Sequence, residues 1–125
     1  MLLDTNVLIA AVDRAHPDSA AVRRFLLDTP APLYVSAVTR VEFLGWPAGT
    51  PLEMALREKL YEEQVELVPD AAVWALAAVL RRQRVKLGDA VVAATSLHYG
   101  QALVTRNVRD FERIVGLTIV NPLAP

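Results

Sequence analysis

The sequence predicts an α/β protein, a three-layer α/β/α sandwich with a parallel sheet at its centre, and three features point there. Short apolar runs recur along the chain: MLL, LYV, VELV, ALV and LTIV. Stretches with helical periodicity or helix-capping residues separate them, and strands alternating with helices build parallel sheets through crossover connections. Proline and glycine fall between these segments rather than inside them, so each segment can form whole.

In chain order, Met1–Asp4 is an apolar run stopped by Asp4-Thr5-Asn6, residues that end a strand and cap the next helix. Asn6–Val12 is apolar and helical. From Asp18 to Asp28 an amphipathic helix places Ala21, Val22, Phe25 and Leu26 on one stripe. Pro30 and Pro32 precede a brief strand, Leu33–Val35. Ser36 then caps a helix carrying Val38, Val41, Glu42 and Leu44, which Gly45-Trp46-Pro47 ends. The next helix runs from Pro51, well suited to a first turn, to Glu63. Val65–Val68 is a strand, and Asp70 caps an Ala-rich helix reaching Arg84. Gly88-Asp89 opens a helix over Ala90–Tyr99, closed by Gly100. Ala102–Val104 is a strand, Asn107–Ile114 a short helix and Leu117–Val120 the last strand.

The 125 residues suit a single domain, residues 1–125, and a 54% hydrophobic composition gives it enough material for a core. Cysteine is absent, which excludes disulfides and thiolate metal sites and fits a reducing compartment. The N-terminal run MLLDTNVLIAAVD lacks a basic leader region and carries Asp4, Asn6 and Asp13, so it is not read as a signal peptide. Nor does any apolar stretch approach the ~20 residues of a membrane span. A cytoplasmic protein with no membrane contact is therefore expected. A net charge of −1, from 13 basic and 14 acidic residues, excludes a strongly basic coat for nucleic acid. Contact with nucleic acid would need local patches such as Arg81, Arg82, Arg84 and Lys86, or Arg106, Arg109 and Arg113, which otherwise are solvated helix faces.

Right-handed crossovers bring every strand's carboxyl end to one edge of a parallel sheet, where ligands bind near a switch in strand order. Asp4, Asp89 and Asp110 should emerge there, and Glu42 can lean toward it from its helix. Each has an ordinary reading. Asp4 and Asp89 are natural residues for a helix start, Glu42 an exposed helix acid, and Asp110 a first-turn acid. Together they are harder to set aside, because two carboxylates about 4 Å apart repel by about 4 kcal/mol at an effective dielectric near 20. A cation relieves that repulsion, as does protonation of one acid. All-oxygen ligands suit Mg²⁺ or Mn²⁺ rather than zinc, and carboxylate-held divalent ions hydrolyse phosphodiesters.

Competing chemistries have less support. The sequence has no Gly-rich phosphate loop, and His16 and His98 are isolated, the latter near a helix end where a dipole contact is expected. Ser36 and Ser96 have no evident histidine partner, and Ser36 is adequately explained as a cap. An aspartyl nucleophile at Asp4 would want a second acid two residues on, where this chain has Asn6.

Four segments in order, LDTNVLI (Leu3–Ile9), SAVTRVEFLG (Ser36–Gly45), KLGDAVVAATSL (Lys86–Leu97) and LVTRNVRDFERI (Leu103–Ile114), resemble the PIN-domain family and, within it, VapC-type toxins of type II toxin–antitoxin systems. The resemblance spans nearly the whole chain. It implies an α/β/α sandwich and Mg²⁺- or Mn²⁺-dependent endoribonuclease activity. It also implies inhibition by a co-encoded antitoxin and homodimerisation. Carried over, Asp4 and Asp89 would be direct metal ligands. Glu42 would complete the site and help position or deprotonate a water, and Asp110 would be the fourth acid, with Asn107 its rival. Thr5, Asn6 and Thr105 would support the ligands by hydrogen bonding. The alternatives are a PIN-domain nuclease that is not a toxin, and a module that binds RNA or protein without turnover. The chain is short for the family between Val12 and Asp18, which leaves the choice of RNA open.

Overall fold

A computed structural model describes residues 1–47 and 49–124. Five parallel strands, β1 (Leu2–Leu3), β2 (Tyr34–Ser36), β3 (Val65–Leu67), β4 (Leu103–Val104) and β5 (Ile119–Val120), form one sheet in the order β3-β2-β1-β4-β5. From β1 the chain builds outward through β2 to β3, then returns to lay β4 on the other flank of β1. The switch in strand order therefore lies between β1 and β4, where Leu2 pairs with Leu103 and Leu3 with Val104.

Because side chains alternate across a strand, each short strand feeds both faces of the sheet. Leu2 and Leu103 pack with Val73, Ala77 and Leu80 of α5 (Ala71–Arg82) and with the apolar side of α6 (Leu87–Tyr99). Their neighbours Leu3 and Val104 pack on the opposite face against α1 (Thr5–Val12), α2 (Ser19–Asp28) and Tyr61 of α4 (Pro51–Glu62). These are the expected three layers. The sequence AVVAATS of α6 is buried from Ala90 to Ser96, so the helix is apolar because it is a core element. Among the described residues no helix is long and apolar enough to cross a membrane.

Four elements differ from the sequence reading, among them α6, which begins at Leu87 rather than Ala90. The helix after β2 is α-helical only over α3 (Ala37–Thr39) and then widens to a π-helical turn, Arg40–Leu44. Such turns cost hydrogen-bond geometry and recur at functional sites. The segment Asn107–Ile114 forms only a 3-10 turn at Val108–Asp110 followed by further turns. Its anchors Phe111 and Ile114 are three residues apart and both buried, a spacing that a three-residue turn satisfies as well as a helix. Helix α5 stops at Arg82, and Arg84 takes a left-handed backbone (φ +69°) that turns the chain into α6.

Candidate active site

Asp4 leaves the end of β1 at the switch point and is 5% exposed. Its backbone N–H donates to the Val104 carbonyl at 2.9 Å, tying it to β4. Oδ1 accepts from the Thr5 N–H at 2.8 Å, so Asp4 does cap α1. Oδ2 accepts from the Thr105 hydroxyl at 2.8 Å and the Asn6 amide at 3.1 Å. Thr105 is fully buried, and its hydroxyl also accepts from the Asn107 N–H at 3.0 Å. Capping uses one oxygen of this carboxylate and leaves the other to two side-chain donors. Burial pushes its pKa up to about 6; the Thr105 hydroxyl opposes that, the charge of Asp89 adds to it, the Thr5 N–H opposes it and Glu42 adds again.

Glu42 projects from the π-turn toward α1. Its Oε1 accepts from the Thr5 hydroxyl at 2.7 Å, and the buried Thr39 hydroxyl lies 3.3 Å behind Thr5. Arg40 anchors the start of the same turn: its Nε donates to Glu66 Oε1 at 2.8 Å, and its guanidinium sits 4.9 Å above the Tyr61 ring. The tyrosine hydroxyl donates to the same Glu66 oxygen at 2.5 Å.

Asp89 is the third residue of α6, because the helix starts at Leu87 rather than at Ala90. Lys86 occupies the cap position, without a side-chain cap bond, and among the described residues the Asp89 carboxylate accepts no hydrogen bond. The capping explanation therefore fails for this residue. Asp89 is half-buried, and its pKa is raised first by burial, then by the charges of Asp110 and Glu42, with Lys86 pulling the other way. Asp110 closes the 3-10 turn after β4, exposed, between two hollows. One, of about 210 Å³, is bordered by Gln83, Val85 and Arg113; the other, of about 470 Å³, by Asn107, Arg109 and Asn121.

The four acids thus stand at one edge, where Asp4 senses the charges of Asp89 and Glu42, and Asp89 those of Asp110 and Glu42. Among the described residues none of them pairs with a lysine or arginine, whereas Asp18, Asp28, Glu66 and Asp70 all have basic partners. Nor, among those residues, do any three acidic, histidine or cysteine side chains stand close enough to enclose an ion as they are. What the acids share is an edge and a field. Their chemistry suits a hard divalent cation: oxygen donors only, Asp4 buried and Asp89 half-buried, Glu42 and Asp110 exposed, with hydroxyls orienting Asp4 and Glu42.

Thr39 and Gly88 escape a sequence reading, since nothing in the sequence signals their distance from Thr5 or Glu42. Arg106, which by sequence belongs with the basic patches, is an internal tie. Its guanidinium donates to Asp18 Oδ2 at 3.0 Å and to the Asn6 carbonyl at 3.3 Å, and lies 3.1 Å from His16. Its backbone N–H donates to Asn6 Oδ1 at 3.2 Å. His98 contacts Asp70 at 3.2 Å, as its place near a helix end suggests.

The sequence pattern of the PIN domain family matches residues 1–117. Ribonuclease VapC1 of Rickettsia felis is 44% identical over 43 residues, which span 33% of this chain and only 32% of that protein. Among solved structures, a toxin–antitoxin complex from Klebsiella pneumoniae is similar over 99% of this chain and 98% of its own, with a TM-score of 0.82 and 24% identity. The DNA-bound VapBC of Salmonella typhimurium is similar over 97% and 96%, with a TM-score of 0.80 and 24% identity.

Proposed function

The chain belongs to the PIN domain family, and on that premise we propose that it is a single-domain, divalent-metal-dependent endoribonuclease acting as the toxin of a toxin–antitoxin pair. The observation that carries this reading is the set of acids without basic partners at the switch between β1 and β4. The similarity to a ribonuclease of Rickettsia felis supports RNA as the substrate.

In this reading Asp4 and Asp89 hold Mg²⁺ or Mn²⁺, with Glu42 and Asp110 completing the site. When bound, the cation supplies Lewis acidity and a water acidic enough to ionise near neutral pH. Thr105 and Asn6 fix the rotamer of Asp4 from one side while the Thr5 N–H holds it from the other. Thr5 also orients Glu42, whose second oxygen is left to position a water and take its proton. Asp110 is preferred to Asn107 as the fourth site residue, because its charge acts on Asp89. Arg109 and Arg113, exposed on the segment that carries Asp110, are suited to RNA phosphates.

The similar structures are complexes with antitoxins, which supports an antitoxin partner here. A hollow of about 390 Å³ along α1 and α4, lined by apolar residues such as Val12, Trp46 and Leu56 and by the charged Asp13, Arg14, Glu53 and Arg57, suits a segment of such a partner. A homodimer is part of the same proposal.

The test is cleavage of labelled RNA by purified protein in Mn²⁺ and in chelator, alongside D4N and D89N. Cleavage should require the metal and disappear in both variants. Cleavage that persists in both variants would overturn the reading. Expression of the wild type, but not D89N, should arrest growth.

A further inference from the structure

We propose that Gly88 is a positioning residue for Glu42, its missing side chain providing the space in which the Glu42 carboxylate stands. This rests on the nuclease reading of the site and adds to it a residue outside the acidic set.

A β-carbon at position 88 would lie 2.5 Å from Glu42 Oε2, 3.2 Å from its Cδ and 3.6 Å from Oε1. On its other side the carboxylate is held through Oε1 by the Thr5 hydroxyl at 2.7 Å. The group, exposed though it is, is therefore tied by a hydroxyl from α1 and stands in the space left by the bare α-carbon of α6. The usual reason for glycine does not apply here. Gly100 and Gly116 have left-handed backbones (φ +64° and +85°), whereas Gly88 does not. It is the second residue of α6, where alanine forms helix better. The local backbone gains nothing from glycine, and what the chain gains lies across the gap to Glu42.

The same geometry says what a methyl group would do. It would press on the far end of a flexible side chain and on no backbone atom, so the fold can accommodate it by moving Glu42 alone. That movement shifts the carboxylate from the place in which its Oε1 meets the Thr5 hydroxyl at 2.7 Å.

The experiment compares wild type, G88A, E42D and the double variant G88A/E42D. Four readouts are used: RNA cleavage at saturating substrate, the pH–rate profile, Mn²⁺ affinity by titration calorimetry, and crystal structures. G88A should melt at or above the wild-type temperature and cleave about a hundredfold more slowly, the usual worth of a positioned acid–base group. Its low-pH limb should shift, its Mn²⁺ affinity should fall, and its crystal structure should show Glu42 released from Thr5. In E42D the acid is one methylene shorter and clears the methyl group, so adding G88A should cost less than about twofold, a non-additivity that marks direct contact. Cleavage by G88A within about twofold of wild type, an intact Thr5–Glu42 bond in its crystal, or an equal cost of G88A in both backgrounds would each overturn the proposal. If the wild type itself cleaves no RNA the functional reading fails, while the place of Glu42 in the G88A crystal still decides this one.

Discussion

Helix α6 has two ends of opposite character. At its carboxyl end His98, Tyr99 and Gly100 each have a complement, and among the described residues only the buried Ser96 hydroxyl lacks one. His98 sits at the negative end of the helix dipole and contacts Asp70, which itself caps α5 by accepting the Val73 N–H at 3.0 Å. The Tyr99 hydroxyl donates to the Val68 carbonyl at 3.2 Å, and Gly100 closes the helix in a left-handed conformation. At its amino end the same helix has no side-chain cap, an aspartate that among the described residues accepts no hydrogen bond, and a glycine whose missing side chain leaves room for a glutamate from another element. One end is closed by a cap and by side-chain contacts, while the other lacks a side-chain cap and holds an acid that suits the helix dipole but stands near other acids. A concentration of unpaired acids at one edge is where a functional site is expected.

The largest expected effect comes from breaking the amino end. D89N should lower RNA cleavage by more than about a hundredfold, beyond the range seen for groups that merely support metal ligands. Its melting temperature in chelator should not fall, because a repelled charge has been removed. A D89N protein that melts lower and cleaves normally would reverse the assignment of the two ends.

Next in size is the pH dependence of stability. Asp4 ionises less readily folded than unfolded, its pKa moving from 3.8 to about 6. The folded state therefore binds this proton more tightly, and the contribution is full below the unfolded value and lost as pH rises through about 6. Between pH ~4 and ~7 wild type should lose about 2–3 kcal/mol in chelator that D4N does not lose. Denaturant titrations of both proteins measure this directly, and a constant difference across that range would remove burial and repulsion as its cause.

T105V should be milder, lowering cleavage or Mn²⁺ affinity about tenfold, because it removes a hydrogen bond to Asp4 and leaves the carboxylate in place. The smallest effect belongs to the other end of α6. D70A should lower the melting temperature by a few degrees through the lost cap and leave cleavage unchanged. If D70A impairs cleavage as strongly as T105V, the two ends are coupled and the contrast between them dissolves.

Much of this contrast is legible in the sequence. The apolar runs around Leu2, Val35, Leu67, Val104 and Val120 lie in or beside the five strands, and strand alternation explains how two-residue strands serve both faces. Asp4, Asp89 and Asp110 are found by the rule that strand ends and helix starts share an edge. The π-turn is not, because VTRVEFLG has ordinary helical periodicity and the widening is set by contacts distant in sequence: Arg40 with Glu66 and Tyr61, Thr39 with Thr5. The start of α6 is misjudged for a related reason. Gly88 looks like punctuation before a helix, and only the position of Glu42 explains a glycine within the first turn. Arg106 shows the same limit, since an arginine in a polar run reads as surface charge until Asp18 and Asn6 are seen beside it.

The most direct test of the central claim is calorimetric titration of Mn²⁺ into chelator-stripped protein near neutral pH, for wild type and for D4N/D89N. One site with measurable heat in the wild type, absent from the double variant, is the predicted result. Equal binding by the two proteins, or none by the wild type, would contradict the claim that these carboxylates form a cation site.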